Sequence, residues 1–253
     1  MPTVRSGPVI GLIVQVVLLA YLAGTVGLGG AGWLAGIAYG AATGAALTWG
    51  LRQSSADTLG PRERSERHGL SPADRVTLTR ATLIGAVAAL TVDSFARPAP
   101  VALLVTLTIV ALVLDGVDGQ VARRTGTVTA FGARFDMEVD AALILVLSAY
   151  VARPIGGWVL ALGSMRYAFV AATWVLPWMR RTLPPRFWRK VVAATQGVVL
   201  VFATAGVLPR SLTIAALVMA LALLVESFGR DVVWLWQRRL VQPAGSRAAG
   251  YAR

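Results

Sequence analysis

The chain has 253 residues, is 56% hydrophobic and only 14% charged, and has a mean hydropathy of +0.67. That balance excludes an ordinary soluble domain and fits an all-α polytopic membrane protein. The formal charge of +12 comes from 23 Arg and one Lys against 12 acids; with no soluble domain large enough for a basic face, it excludes a nucleic-acid partner and points to the lipid bilayer.

Apolar runs near the ~20 residues that a spanning helix needs occur at 8–28, 31–51, 80–96, 100–122, 133–152, 156–178, 190–208 and 211–236. The spacing therefore predicts eight transmembrane helices. No β-barrel alternation is present. The first run is too long for a signal-peptide core and is read as a retained helix. There is no cysteine, so disulfides and thiolate chemistry are excluded.

Residues 1–51 are expected to form an N-terminal transmembrane hairpin, separate from the rest of the chain. On its second helix Gly32, Gly36, Gly40 and Gly44 recur every four residues. Such a stripe admits close helix approach, either within the chain or in a dimer. Residues 52–71 form a polar cytoplasmic linker holding His68, the sole histidine, read as a solvated side chain. Ser71-Pro72-Ala73-Asp74 has the pattern of a helix start. Asp74–Arg80 is expected to lie along the interface before the chain turns inward. A catalytic core of six helices spans 72–236, and 237–253 is a basic cytoplasmic tail.

Arginines crowd alternate connections: 52–80, 123–134, 179–190 and the tail. The intervening ones hold only Arg97, Arg153 and Arg210. The positive-inside rule then puts both termini on the cytoplasmic side of the cell membrane.

Within this apolar frame lie Asp115, Asp118, Asp136 and Asp140. Each carboxylate at membrane depth costs roughly 2.5–3.5 kcal/mol on insertion scales. Four are tolerable only near the water interface or around neutralising cations. At roughly 100° per residue, Asp115, Asp118, Gly119, Ala122 and Arg123 share an arc of about 140°, and Gly132, Asp136 and Asp140 one of about 80°. Glu138 points away. Two acidic stripes on antiparallel neighbours can thus face each other near the cytoplasmic ends. Carboxylate-only clusters select hard cations such as Mg²⁺ or Mn²⁺. A pair of ions so held is suited to phosphoryl transfer. Gly119 and Ala122 leave space for a ligand, and Arg123 is a phosphate partner. Structural ion pairing and cation transport are the competing readings.

The pattern Asp115-x2-Asp118-Gly119-x2-Ala122-Arg123-x8-Gly132-x3-Asp136-x3-Asp140 resembles, at every fixed position, the signature of the CDP-alcohol phosphotransferase family. The similarity extends from about Ser71 to Trp236. It implies transfer of a substituted phosphate from a CDP-linked donor to an alcohol, with release of CMP, and a homodimer. It implies that Asp115, Asp118 and Asp136 are metal ligands, with Asp140 beside the ions as general base. Gly119, Ala122, Arg123 and Gly132 would then accommodate the cytidine diphosphate. Asp74-x2-Thr77-x2-Arg80 is similar to an Asn-x2-Thr-x2-Arg segment of the family, departing at Asp74; it assigns Thr77 and Arg80 to the donor. Arg189-Lys190 resembles a basic segment opening a later core helix in some members.

Arg166 is flanked by apolar sequence in a spanning segment. With Arg189 and Lys190 it is expected to bind an anionic acceptor such as a phosphorylated polyol. The expected donor is CDP-diacylglycerol, because the site opens at the lipid interface. A CDP-linked donor that is not a lipid is the alternative.

Overall fold

The computed structural model describes residues 6–57, 72–125, 130–180, 184 and 186–240, with side chains placed for 9–49, 76–117, 132–180, 184 and 186–238. Among these there are eight α-helices and no strand: α1 (Ser6–Val26), α2 (Gly30–Asp57), α3 (Pro72–Asp93), α4 (Val101–Thr125), α5 (Ala130–Ile155), α6 (Leu160–Val175), α7 (Phe187–Ala205) and α8 (Arg210–Leu240). Single 3-10 turns at Gly157–Val159 and Pro177–Arg180 follow α5 and α6. The protein has an all-α polytopic membrane fold.

Among the described residues, four helices are long and apolar enough to cross a membrane, over Val9–Val26, Val76–Asp93, Gly157–Val175 and Arg210–Arg238; the apolar part of α4 is shorter, Val101–Val117. The other elements read as spans carry the residues that dilute hydropathy. In α2 these are glycine and alanine, in α5 Arg134, Asp136, Glu138 and Asp140, and in α7 Arg189 and Lys190.

Helix α3 is the central element. Its apolar window is 67% buried, against 22, 17 and 28% for those of α1, α6 and α8. It packs most extensively on α2 and α4, then on α5 and α1. Ile84, Val87 and Leu90 of α3 join Leu19, Leu22, Leu104, Leu143, Leu147 and Leu200 in one core. Facing outward instead are Ile13 and Val17 of α1, Val113 of α4 and Val175 of α6, all exposed apolar side chains, as expected of surface that meets lipid tails.

One expectation changes. The segment Asp74–Arg80 does not turn before the span, because α3 is one continuous helix from Pro72 to Asp93. Thr77, Arg80, Ala81 and Ile84 form a single buried stripe, so from Thr77 onward the helix is core rather than interfacial surface. The N-terminal hairpin packs within the chain: α2 and α1 both meet α3. Two glycines of the stripe serve this contact. A Cβ on Gly32 would lie 2.8 Å from the Ala89 carbonyl oxygen, and one on Gly36 3.3 Å from the Ala89 Cβ. Ser71, the expected N-cap, and His68 lie outside the described residues.

The ends of α1, α3 and α5 opposite the aspartates are tied by polar groups. The Gly29 N–H donates to Asp93 Oδ1 at 2.9 Å, Arg97 donates to the Gly27 carbonyl, and Arg153 donates to that of Ser94. Cations thus meet carbonyls at the C-terminal ends of α1 and α3, where the helix dipole favours them. Gly206, in the left-handed region at φ 63°, ends α7.

Helices α5 and α6 approach backbone to backbone at Gly163. A Cβ there would sit 2.4 Å from the Leu145 Cα. Gly163→Ala must therefore push the helices apart, at a cost of about 1–3 kcal/mol. Gly229→Ala, where nothing lies within 4 Å, should instead stabilise by up to ~1 kcal/mol through helix propensity. Thermal unfolding of both variants in detergent micelles checks the pair; equal effects would refute the contact.

Candidate active site

Three helices build the site. On α4, Leu104, Thr108 and Ala111 form a buried stripe, and Asp115 stands one turn beyond it. On α5, Phe135, Val139, Leu143 and Leu147 are buried at four-residue spacing. Asp136 and Asp140 follow Phe135 and Val139 directly and flank the same face. Each acid is thus aimed by the apolar contacts of its own helix.

Arg80 of α3 reaches into the gap between them. Its side chain is fully buried, while those of Asp115, Asp136 and Asp140 stay 42, 37 and 44% exposed. Nη2 lies 2.9 Å from Asp115 Oδ1. Nη1 donates to Asp136 and Nη2 to Asp140. Nε donates to the Ala111 carbonyl at 3.2 Å. One guanidinium thereby bridges three carboxylates from two helices. A buried cation is tolerable only when so paired.

The carboxylates converge as a coordination sphere requires. One oxygen from each of Asp115, Asp136 and Asp140 lies within 4.8 Å of the others. An all-oxygen donor set of this kind suits a hard divalent cation and not a thiophilic one. The half-exposed side chains leave it an entry path. The residues present therefore fit a magnesium- or manganese-type ion.

Other expected site residues fall into three groups. Thr77 is buried one turn before Arg80 on the same face, and Gly132 lies one turn before Asp136, half-buried. Asp118, Gly119, Ala122 and Arg123 belong to the last two turns of α4, but their side chains lie outside the described residues. The three acceptor cations are elsewhere engaged or exposed. Arg166 pairs with Glu138, the acid that helical geometry turns away from the cluster. Arg189 pairs with Asp231 at 3.0 Å and donates to the Pro184 carbonyl at 2.8 Å. Lys190 is exposed. Through these bonds neither Arg166 nor Arg189 reaches Asp115, Asp136 or Asp140.

The Arg189–Asp231 pair ties α7 to α8, and two hydrogen bonds reinforce it. Trp188 Nε1 donates to Glu226 Oε2 at 2.9 Å, and Gln196 Nε2 donates to the Ala220 carbonyl at 2.8 Å. Sequence reasoning misses Asp231, although its signal is the one that reveals the cluster, an acid within an apolar helix.

A carboxylate triad on a buried guanidinium, carried by apolar helices, could hold a metal ion. The chain belongs to the CDP-alcohol phosphatidyltransferase family, whose model matches residues 70–228. That range contains Asp115, Asp118, Asp136, Asp140 and Arg80, and leaves α1 and α2 outside. Phosphatidyl transfer from a CDP-alcohol is the general activity of this fold. No curated protein and no solved structure gives a significant match.

Removing Arg80 leaves three converging carboxylates without their counter-charge. Arg80→Leu should destabilise the metal-free protein by about 3–5 kcal/mol, the cost of breaking a buried ion pair. Millimolar Mg²⁺ should recover part of that loss. Thermal unfolding with and without EDTA checks both statements; a variant as stable as the parent in EDTA would show that Arg80 does not hold the site together.

Proposed function

We propose that this protein is an integral-membrane transferase that moves a phosphatidyl group from CDP-diacylglycerol to the hydroxyl of a small polar alcohol, releasing CMP, in phospholipid biosynthesis. The observation that carries this reading is the convergence of Asp115, Asp136 and Asp140 on one point in a chain of this family. Asp118, one turn beyond Asp115, is read as the fourth acid. Two Mg²⁺ or Mn²⁺ ions would be held by Asp115, Asp118, Asp136 and Asp140. When bound, they supply charge neutralisation at the diphosphate and at the leaving oxygen.

The remaining chemistry belongs to the chain. Asp140 is the general base: a carboxylate oxygen takes the proton of the acceptor hydroxyl. The acceptor oxygen bonds to the phosphorus that carries the diacylglycerol. The bond from that phosphorus to the oxygen bridging it to CMP breaks, and CMP leaves with the electron pair. Asp140 then returns its proton to solvent. Gly119, Ala122 and Gly132 give the nucleotide room against backbone, and Thr77, Arg80 and Arg123 meet its phosphates. Arg166, Arg189 and Lys190 favour an anionic acceptor, once the Glu138 and Asp231 pairs exchange for it. The arginine alternation supports a multi-pass protein in the cell membrane, with the site and both termini cytoplasmic. A homodimer is part of this reading. A CDP-linked donor without lipid chains is the second reading; the half-exposed triad would admit it equally.

The decisive assay is CMP release by purified protein with CDP-diacylglycerol and Mg²⁺ or Mn²⁺, across alcohols that include glycerol 3-phosphate and an inositol phosphate. Acceptor-dependent CMP is expected, strongest with a phosphorylated acceptor, and abolished by EDTA. Asp140→Asn should lower kcat by about 10²–10⁴-fold, the range of a lost general base, with metal and nucleotide binding retained. A variant that turns over normally removes Asp140 from that role. Absence of CMP with every alcohol, from protein that binds the donor, rejects the lipid-donor reading.

A further inference from the structure

Of Arg97, Arg153 and Arg210, the arginines in the sparsely charged connections, the first two meet at one cavity. They line it together with Ser94, Ala99 and Tyr150. Its volume is about 390 Å³, the size of a ligand pocket and far more than one water molecule fills. It lies at the opposite end of the bundle from the carboxylates. Arg153 stands 13 residues along α5 from Asp140, roughly 20 Å at 1.5 Å per residue.

Neither guanidinium is saturated by the protein. Arg97 donates to the Gly27 carbonyl and stands 3.8 Å from Asp93 Oδ1, an oxygen that already accepts the Gly29 N–H. Arg153 donates to the Ser94 carbonyl, and among the described residues it makes no ion pair. A guanidinium carries five N–H donors, so each keeps donors for a further acceptor. Among the described residues no acid lines the cavity, which is therefore positive.

An anion that matches two such forks is a phosphate group, which guanidinium binds through paired N–H···O bonds. Arginines at the ends of membrane helices also sit at the depth of lipid phosphates. The surface beside the cavity is apolar. Phe95 is 54% exposed, and the Arg153 guanidinium lies 4.9 Å from its ring centroid. Val26, at the end of α1, and Val101, at the start of α4, are exposed too. Such surface suits acyl chains and gives nothing to a free anion. The positive balance also disfavours a headgroup that carries its own cation.

We propose that this cavity binds the phosphate of an anionic phospholipid in the leaflet opposite the carboxylate cluster. The bound lipid bridges the α3–α4 connection to the end of α5 and, through Arg97, the turn between α1 and α2. The site requires only the membrane fold, whichever face is cytoplasmic and whatever alcohol the aspartates serve.

The test is thermal unfolding of the full chain in neutral detergent micelles with EDTA, titrated with phosphatidylglycerol, phosphatidylcholine or inorganic phosphate. Phosphatidylglycerol should stabilise the parent, and the other two should do so little. The double variant Arg97→Gln/Arg153→Gln should need at least about tenfold more phosphatidylglycerol for the same shift, the scale of one lost charge-assisted hydrogen bond. Ala99→Glu leaves both arginine–carbonyl bonds in place and puts a carboxylate beside the guanidiniums. It should lose the response in the same way, and it decides the matter if the double variant does not fold. Arg210→Gln removes the third arginine, which does not line the cavity, and should respond like the parent. A parent indifferent to phosphatidylglycerol overturns the proposal. So does equal stabilisation by phosphatidylcholine, which would mean that headgroup charge is not selected. An equal response to inorganic phosphate would show a site for a free anion and reject the lipid. Ala99→Glu responding like the parent, or Arg210→Gln losing as much as the double variant, would place the lipid effect outside this cavity.

Discussion

The fold is organised around one electrostatic necessity, a guanidinium with no water contact at the crossing of three helices. Arg80 is fully buried, and three carboxylates from α4 and α5 close on it. Its partners are 35, 56 and 60 residues away in sequence. No single helix can satisfy this cation, so α3, α4 and α5 must meet in one register. Slipping any of them by a turn, roughly 5.4 Å, would strand a charge in an apolar interior. Van der Waals packing between apolar helices is weakly directional; the charge cluster selects the register.

Small side chains make that meeting possible. The stripe on α2 lets it lie against α3 near Ala89, and Gly163 lets α6 lie against Leu145. In lipid there is little hydrophobic drive between helices, so close van der Waals contact and interhelical hydrogen bonds carry the association. The same logic explains the cations at the far end, where Arg97 and Arg153 bond to carbonyls at the ends of α1 and α3. Polar groups therefore join the bundle at both ends, and apolar contacts fill the middle.

Much of this was legible in the sequence, for identifiable reasons. Helix existence followed from the length of apolar runs, and the start of α3 from Pro72. The convergence of Asp115, Asp136 and Asp140 followed from three- and four-residue spacing, which places them on faces of neighbouring helices. Faces are local; pairings are not. The resemblance assigned Arg80 to the donor but did not give its carboxylate partners. It could not show that Arg166 meets Glu138, or that Arg189 meets Asp231. An arginine's long side chain reaches any acid within several ångströms, and that choice depends on tertiary packing. The continuity of Pro72–Asp93 was hidden for a related reason. Arg75 and Arg80 make its first turns look interfacial until the carboxylates that receive Arg80 are known.

The charge balance of the cluster also bears on what it can hold. Among the described residues, three carboxylates, when ionised, against one guanidinium would leave two negative charges, the complement of one divalent cation. A second such ion would make the site strongly positive, and in a low-dielectric setting that is unfavourable unless anions come with it. Asp118 supplies at most one of those charges. On the function proposed above, a diphosphate donor would supply the rest, and the second ion and the donor would stabilise each other. An arginine, which stays charged at any physiological pH, is then the residue that sets the threshold. A neutral side chain at position 80 would let two cations balance without the donor, and a site already neutral would have less reason to bind a nucleotide diphosphate.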